Sequence, residues 1–301
     1  MESTTKSTTL HTGAQMPSIG FGTSEVKDKE IIVQAVCEAN YRHIDTAKMY
    51  QNEDVVGDAL LECFEKGIKR EEIFVTTKIF NESYSDPVST LKGSLQRLKL
   101  DYVDMYLIHW GYNEIDESGK SLKKIPMYKL WAGLEECVEQ GLTKHIGLSN
   151  FNVQLILDMF SYCKIQPACN QIELHPFLQQ PDLVKFCQSQ EIVITAYSPL
   201  SAPGRSSGGV TGGSALENEV IKDIADSKGK TPAQIALAWN INRNVVVIPK
   251  CSSLKRAQEN YQAVEIDLSQ EEMGRISEID KDERIFDPKN WKLALNVPYF
   301  K

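Results

Sequence analysis

Several familiar devices are missing from this chain. The seven cysteines, at positions 37, 63, 137, 163, 169, 187 and 251, are odd in number, scattered and without a Cys-x-x-Cys pair. Reduced thiols packed as small hydrophobes are therefore expected in place of disulfides or zinc ligands, and no metal is expected. A formal net charge of -8 argues against broad affinity for nucleic acid or an anionic membrane. No apolar run approaches the length of a membrane span. The first nine residues lack the apolar core of a signal peptide, so a cytoplasmic location is expected. The only Gly-x-Gly is Gly20-Phe-Gly22, and no third glycine follows at the spacing a Rossmann fingerprint needs.

What the chain does have is regular alternation. With 301 residues, 42% of them hydrophobic, it can bury a large core. Strand-like runs fall at Ser18–Gly20, His43–Asp45, Ile73–Lys78, Val103–His109, His145–Ser149, Ala168–Glu173, Val193–Tyr197 and Val245–Pro249. Helix-like stretches fall at Asp28–Ala39, Glu53–Lys66, Val88–Leu98, Tyr128–Gln140, Val153–Tyr162, Pro181–Gln190 and Asn218–Lys228. Eight strands in βα alternation predict one α/β domain over 1–301, a (β/α)8 TIM barrel. Two segments depart from the pattern. Ser201–Ser214 is too rich in glycine and serine to pack and reads as a mobile loop over a site. The tail 284–301 carries Phe286, Trp291, Tyr299 and Phe300 without helical periodicity, as expected of a segment draped over an apolar surface.

Asp45, Tyr50, Lys78 and His109 stand at or just beyond the ends of three strand candidates. On a parallel barrel such positions converge on one rim, where βα loops build active sites. Each has an ordinary reading alone: a capping aspartate, a half-buried tyrosine, a snorkelling lysine, a satisfied core histidine. Together they make a proton donor. Tyrosine is a poor acid at neutral pH, with an unperturbed pKa of about 10, and a neighbouring ammonium favours its phenolate. Lys78 would supply that charge, Asp45 would keep a buried lysine charged, and His109 would orient a carbonyl. His11, His43, His145 and His175 lack such company and read as structural.

A second constellation lies at Val245–Asn260. Ser253 is a credible N-cap, which puts Lys255 and Arg256 in the first helical turn. The macrodipole disfavours cations there by a few tenths to about 1 kcal/mol. An anion held by the helix terminus, Lys250 and Arg256 would offset this, and a phosphate fits best. Tyr197, before Ser198-Pro199-Leu200, offers an aromatic face to a flat heterocycle, while Ser149, Asn150 and Gln171 are suited to gripping an amide.

These residues resemble the aldo-keto reductase superfamily along essentially the whole chain, and most closely its aldose, xylose and aldehyde reductases. The resemblance rests on Gly20-Phe-Gly-Thr23, Tyr41-Arg-His-Ile-Asp45-Thr-Ala-Lys-Met-Tyr50, Gln51-Asn-Glu, Thr76-Thr-Lys78, Leu107-Ile-His-Trp110, Ile146-Gly-Leu-Ser-Asn150, Asn170-Gln171, Ala196-Tyr-Ser-Pro-Leu200 and Ile248-Pro-Lys250. It implies NADPH-dependent carbonyl reduction, with NADH as a weaker or dual cofactor. Tyr50 would be the general acid, Asp45 and Lys78 would tune it, and His109 would orient the substrate. Thr23, Asp45, Ser149, Asn150, Gln171, Tyr197, Ser198 and Leu200 would hold the nicotinamide half. Lys250, Cys251, Ser252 and Arg256 would meet the 2′-phosphate, and Glu259 and Asn260 the adenine end. The substrate pocket would be formed by Ser24, Met49, Tyr50, Phe80, His109, Trp110 and Trp291.

Four departures fall on its rims: Ser24 where an aromatic is usual, Lys48-Met49 for His-Val, Gly111 for proline and Cys251 for serine. Lys48 could meet an acidic or phosphorylated substrate or be simply solvated. The expectation is a cytoplasmic enzyme acting on small aldehydes, aldoses or sugar phosphates, a monomer or weak homodimer with neither nucleic-acid nor membrane partners. The alternative is a cofactor-sensing regulatory or structural protein on the same fold.

Overall fold

The computed structural model describes residues 6–116, 118, 120–201, 214–290 and 297–300. Most of the glycine-rich loop (202–213) and Trp291 lie outside them. Two short strands, β1 (Ser7–Thr9) and β2 (Gln15–Pro17), form an antiparallel hairpin. The described part of the polar lead is thus structured, although three-residue strands give no periodic signal. Eight parallel strands follow: β3 (Phe21–Gly22), β4 (His43–Asp45), β5 (Phe74–Ile79), β6 (Val103–Ile108), β7 (Thr143–Ser149), β8 (Cys169–Glu173), β9 (Val193–Tyr197) and β10 (Val246–Val247), each paired with its sequence neighbour. The sheet closes on itself. A parallel bridge joins Ile19 to Val247, and Gly20 and Gly22 amides donate to Val247 and Pro249 carbonyls at 2.8 and 3.1 Å. Glycine is needed at this seam, because a Cβ at Gly22 would sit 2.7 Å from the Ile248 carbonyl oxygen.

Helices α1 (Lys29–Cys37), α2 (Glu53–Glu65), α3 (Pro87–Leu98), α4 (Met127–Glu139), α5 (Val153–Phe160), α6 (Pro181–Ser189), α7 (Glu219–Lys228), α8 (Pro232–Asn242), α9 (Leu254–Tyr261) and α10 (Gln270–Ser277), with short 3-10 turns, complete the described elements. Asp28, Asp86, Asn152, Asn218, Thr231, Ser253 and Ser269 cap α1, α3, α5, α7, α8, α9 and α10 through side-chain oxygens. Each such cap contributes about 1 kcal/mol. α8 escaped sequence reading because it is buried on every side from Gln234 to Ile241, so it shows no amphipathic stripe. No helix among the described residues is long and apolar enough to cross a membrane.

Alternation along the strands sets what faces the barrel axis. Val75, Ile79, Tyr106, Ile108, Ile172 and Ile194 join the main core beneath the helices. Phe74, Met105, Cys169 and Val193 pack in a separate apolar cluster with Leu10 and Met16 of the hairpin, which plugs the barrel floor. Lys78, His109, Glu173 and Tyr197 share parity with that inner set, four residues further along each strand or its extension. The same two-residue repeat that fills the floor therefore delivers polar groups to the upper rim.

Candidate active site

Asp45 ends β4 and Lys78 lies near the end of β5. Lys78 Nζ donates to Asp45 Oδ1 at 2.6 Å, to the Thr46 carbonyl at 2.8 Å and to Tyr50 Oη at 3.3 Å. An ammonium has three hydrogens and no acceptor, so all three are used. Tyr50 is the acceptor in this contact, which directs its own O–H hydrogen elsewhere. Burial on its own pulls the Lys78 ammonium toward neutrality, but the Asp45 and Tyr50 oxygens more than offset this, and its pKa ends above the ordinary lysine value. Asp45 is held from the other side by Gln171 Nε2 at 2.8 Å, while its carbonyl accepts from Thr23 Oγ1 at 2.9 Å.

Tyr50 closes a short 3-10 turn, Lys48–Tyr50, and Gln51 after it adopts φ +54°. Two neighbours in the matching Gln51-Asn-Glu segment, given no role by the sequence, fix this turn. Asn52 Nδ2 donates to the Thr23 and Val26 carbonyls, both at 2.8 Å. Glu53, buried at the start of α2, accepts from Thr77 Oγ1 at 2.6 Å and from Arg97 at 3.0 and 2.8 Å. Because Thr77 precedes Lys78, Glu53 ties the tyrosine's turn to the lysine's strand. The matching Gln51-Asn-Glu triplet was the available signal.

His109 meets the Tyr50 ring edge-on at a centroid distance of 5.9 Å, and Phe80 at 5.5 Å. Burial, and then the Lys78 charge, hold its imidazole well below the usual histidine pKa, so the ring is neutral at pH 7. Its Nδ1 is buried without a partner among the described residues. Placing the ring hydrogen on Nε2 strands only a lone pair at Nδ1 and gives the opposite edge a donor.

The residues suited to an amide form one connected set. Ser149 Oγ donates to the Gln171 carbonyl at 2.9 Å, Asn150 Nδ2 to the His109 carbonyl at 3.0 Å, and Tyr197 Oη to Asn150 Oδ1 at 2.9 Å. Asn150 and Ser198 adopt left-handed φ values of +64° and +48°. Such strained backbone clusters at functional sites. Leu200 packs against the main core.

At the far seam, Ser253 caps α9 by accepting from the Arg256 amide, so Arg256 does occupy the first turn. Lys250, Ser252 and Arg256 are exposed, and the Arg256 guanidinium has no carboxylate partner among the described residues. Cys251 instead points into the core, where burial pushes its thiol up to about 11. Glu259 accepts from Thr231 Oγ1 at 2.8 Å, and Asn260 is buried. An exposed guanidinium and ammonium at a capped helix N-terminus fit a phosphate.

On the opposite side, Trp110 and Tyr112 form an aromatic cluster with Phe80, Tyr299 and Phe300. The Gly111 amide donates to Tyr299 Oη at 3.1 Å, so the tail does pack on the rim. Ser24 is half-buried and Met49 is 43% exposed. Lys48 is already engaged by Glu82 Oε1 at 2.9 Å and by Ser83 Oγ. The tail is anchored by Glu173, fully buried at the end of β8. Its carboxylate accepts from the Ile285 and Phe286 amides at 2.7 and 2.8 Å and lies 3.1 Å from His175 Nε2. Phe286 then packs edge-on to Tyr197 at 5.7 Å. A carboxylate inside a buried strand was the legible sign of this clasp.

Residues 11–281 match the family model described as the aldo/keto reductase family, and the chain belongs to that family. It is 40% identical to an NADP-dependent D-sorbitol-6-phosphate dehydrogenase of Malus domestica, across 95% of this chain and 97% of that one. It is 38% identical to aldose reductase B of Dictyostelium discoideum, across 95% and 94%. Methylglyoxal reductase DkgA of Escherichia coli is 36% identical across 92% and 94%. The chain is thus an aldo-keto reductase, a class of enzyme that reduces carbonyl groups.

Proposed function

We propose that this enzyme is an NADPH-dependent aldehyde or aldose reductase in which Tyr50 donates the proton, and that residues 1–301 act as one domain. The observation that carries the reading is the chain from buried Asp45 and Lys78 to half-buried Tyr50, at 2.6 and 3.3 Å. When bound, the nicotinamide supplies the hydride. Asp45 keeps Lys78 charged, and the ammonium steadies the phenolate that Tyr50 leaves behind on giving up its proton. Neutral His109 offers a hydrogen bond to the carbonyl oxygen as negative charge builds there. Ser149, Asn150 and Gln171 would hold the carboxamide, Tyr197 would offer its ring to the nicotinamide, and Lys250 and Arg256 would receive the 2′-phosphate.

The aromatic wall of Phe80, Trp110 and Tyr299 favours aldehydes with an apolar body. Lys48, already paired with Glu82, supports neutral carbonyls ahead of sugar phosphates. A panel of aldehydes, aldoses and sugar phosphates, assayed with NADPH and NADH, tests the reading. Multiple turnover of simple aldehydes with NADPH is expected. Single-turnover oxidation of prebound cofactor would point to a sensor and overturn it.

A further inference from the structure

Lys250, just beyond β10, is one of two exposed cations assigned above to the 2′-phosphate, yet its ammonium already holds an anion. Nζ lies 2.8 Å from Glu25 Oε2. Glu25 follows β3, and β3 and β10 are the strands whose edges close the barrel, so this ion pair spans the two lips of the seam. The loop that carries Glu25 is held on both sides by the Asn52 bonds to the Thr23 and Val26 carbonyls, and Glu25 itself sits at φ +64°. The carboxylate is thus carried by a loop that is fixed where it meets the phosphate side of the site.

We propose that Glu25 is a specificity-determining residue: it weakens the hold of Lys250 and Arg256 on the cofactor's 2′-phosphate and so narrows the preference for NADPH over NADH. The inference rests on the proposed 2′-phosphate site. Two anions that share one ammonium nitrogen at hydrogen-bond distance lie within about 6 Å of each other. The side chains of the pair are 43% and 56% exposed, so its own attraction is weak and screened, and Glu25 does not keep a phosphate from joining it on Lys250. Repulsion between the carboxylate and a group bearing nearly two negative charges then opposes that shared binding. NADH has a hydroxyl at the same place and feels almost none of it.

The test is equilibrium binding, by fluorescence or calorimetry, of NADPH, NADH, adenosine 2′,5′-bisphosphate and AMP to the intact wild-type chain and to Glu25→Gln, Glu25→Lys and Arg256→Ala. Glu25→Gln is expected to tighten NADPH and the bisphosphate by about threefold to tenfold and leave NADH and AMP within about twofold, with the difference shrinking at high salt. Glu25→Lys should move the same ratio further. An unchanged NADPH-to-NADH ratio overturns the inference. So does weaker NADPH binding in Glu25→Gln, which would mean that the carboxylate positions Lys250 for the phosphate. If wild type prefers neither cofactor and Arg256→Ala alters neither, the phosphate site itself is wrong and the inference falls with it.

Discussion

Lys78 and Asp45 form a 2.6 Å ion pair in which the lysine side chain is 0% and the aspartate 2% exposed. Removing one partner strands the other charge in the barrel. Asp45→Asn is therefore expected to cost about 3–5 kcal/mol of stability, read by denaturant unfolding, and a loss under 1 kcal/mol would contradict the pairing. Because the folded-state pKa of Lys78 is raised, its contribution is complete below the unfolded value of about 10.5 and is lost as pH rises through the folded one. Melting temperatures should thus show no step from this pair between pH 6 and 9, and a decline beyond about 10.5.

Tyr50→Phe removes the proposed proton donor and one acceptor of Lys78 while leaving the ring. The expected result is a fall in kcat of about 10²–10⁴-fold with cofactor affinity nearly unchanged. Turnover close to wild type would assign the proton to another group.

His43 lies on the inner face of β4, where burial pulls its pKa down to about 4. Its Nε2 is 3.1 Å from Thr76 Oγ1. The folded state keeps this ring neutral, whereas the unfolded chain takes up a proton near pH 6.5. Its contribution is therefore steady above pH 6.5 and declines as pH falls toward 4, by up to about 3 kcal/mol. Buried His109 acts with the same sign. Unfolding free energies measured from pH 7 to 4.5 should show this slope, and His43→Gln should flatten it. Parallel slopes in the two proteins would refute the assignment.

Gly111 leaves no room for a side chain, since a Cβ there would overlap Tyr299 Oη. The obstructing atom is the tip of a flexible side chain, so Gly111→Ala should cost no more than about 1 kcal/mol. It should nonetheless dislodge the tail's aromatic cluster. Severalfold changes in KM among bulky aldehydes are expected, with small ones spared. Uniform kinetics across the panel would separate the tail from the pocket.

The residues that read well in the sequence owe their positions to simple repeats. His43–Asp45 and Val193–Tyr197 are strands with the predicted bounds, because buried strands flanked by helices give compact apolar runs. The predicted run Ser18–Gly20 supplies the closing bridge at Ile19, while the ladder proper lies at Phe21–Gly22. Lys78 and Asp45 stood out as charges at apolar strand ends. What stayed hidden were partnerships between distant residues. Glu53 reaches Arg97 across 44 positions, and Glu173 reaches Phe286 across 113. Neither spacing leaves a trace in local pattern. Glu25 was equally silent, because only barrel closure brings it to Lys250.

Glu173 holds the tail by accepting from the main-chain amides of Ile285 and Phe286. Main-chain recognition is indifferent to the side chains it carries, so the clasp fixes where the tail begins, and apart from Phe286 against Tyr197 and Arg284 on Gln180 it leaves the composition beyond open. The barrel thus offers a socket into which different C-terminal segments can be plugged. A tail grafted from a relative, joined in register at position 285, should carry its own choice of aldehyde to this barrel while the chemistry beneath stays the same.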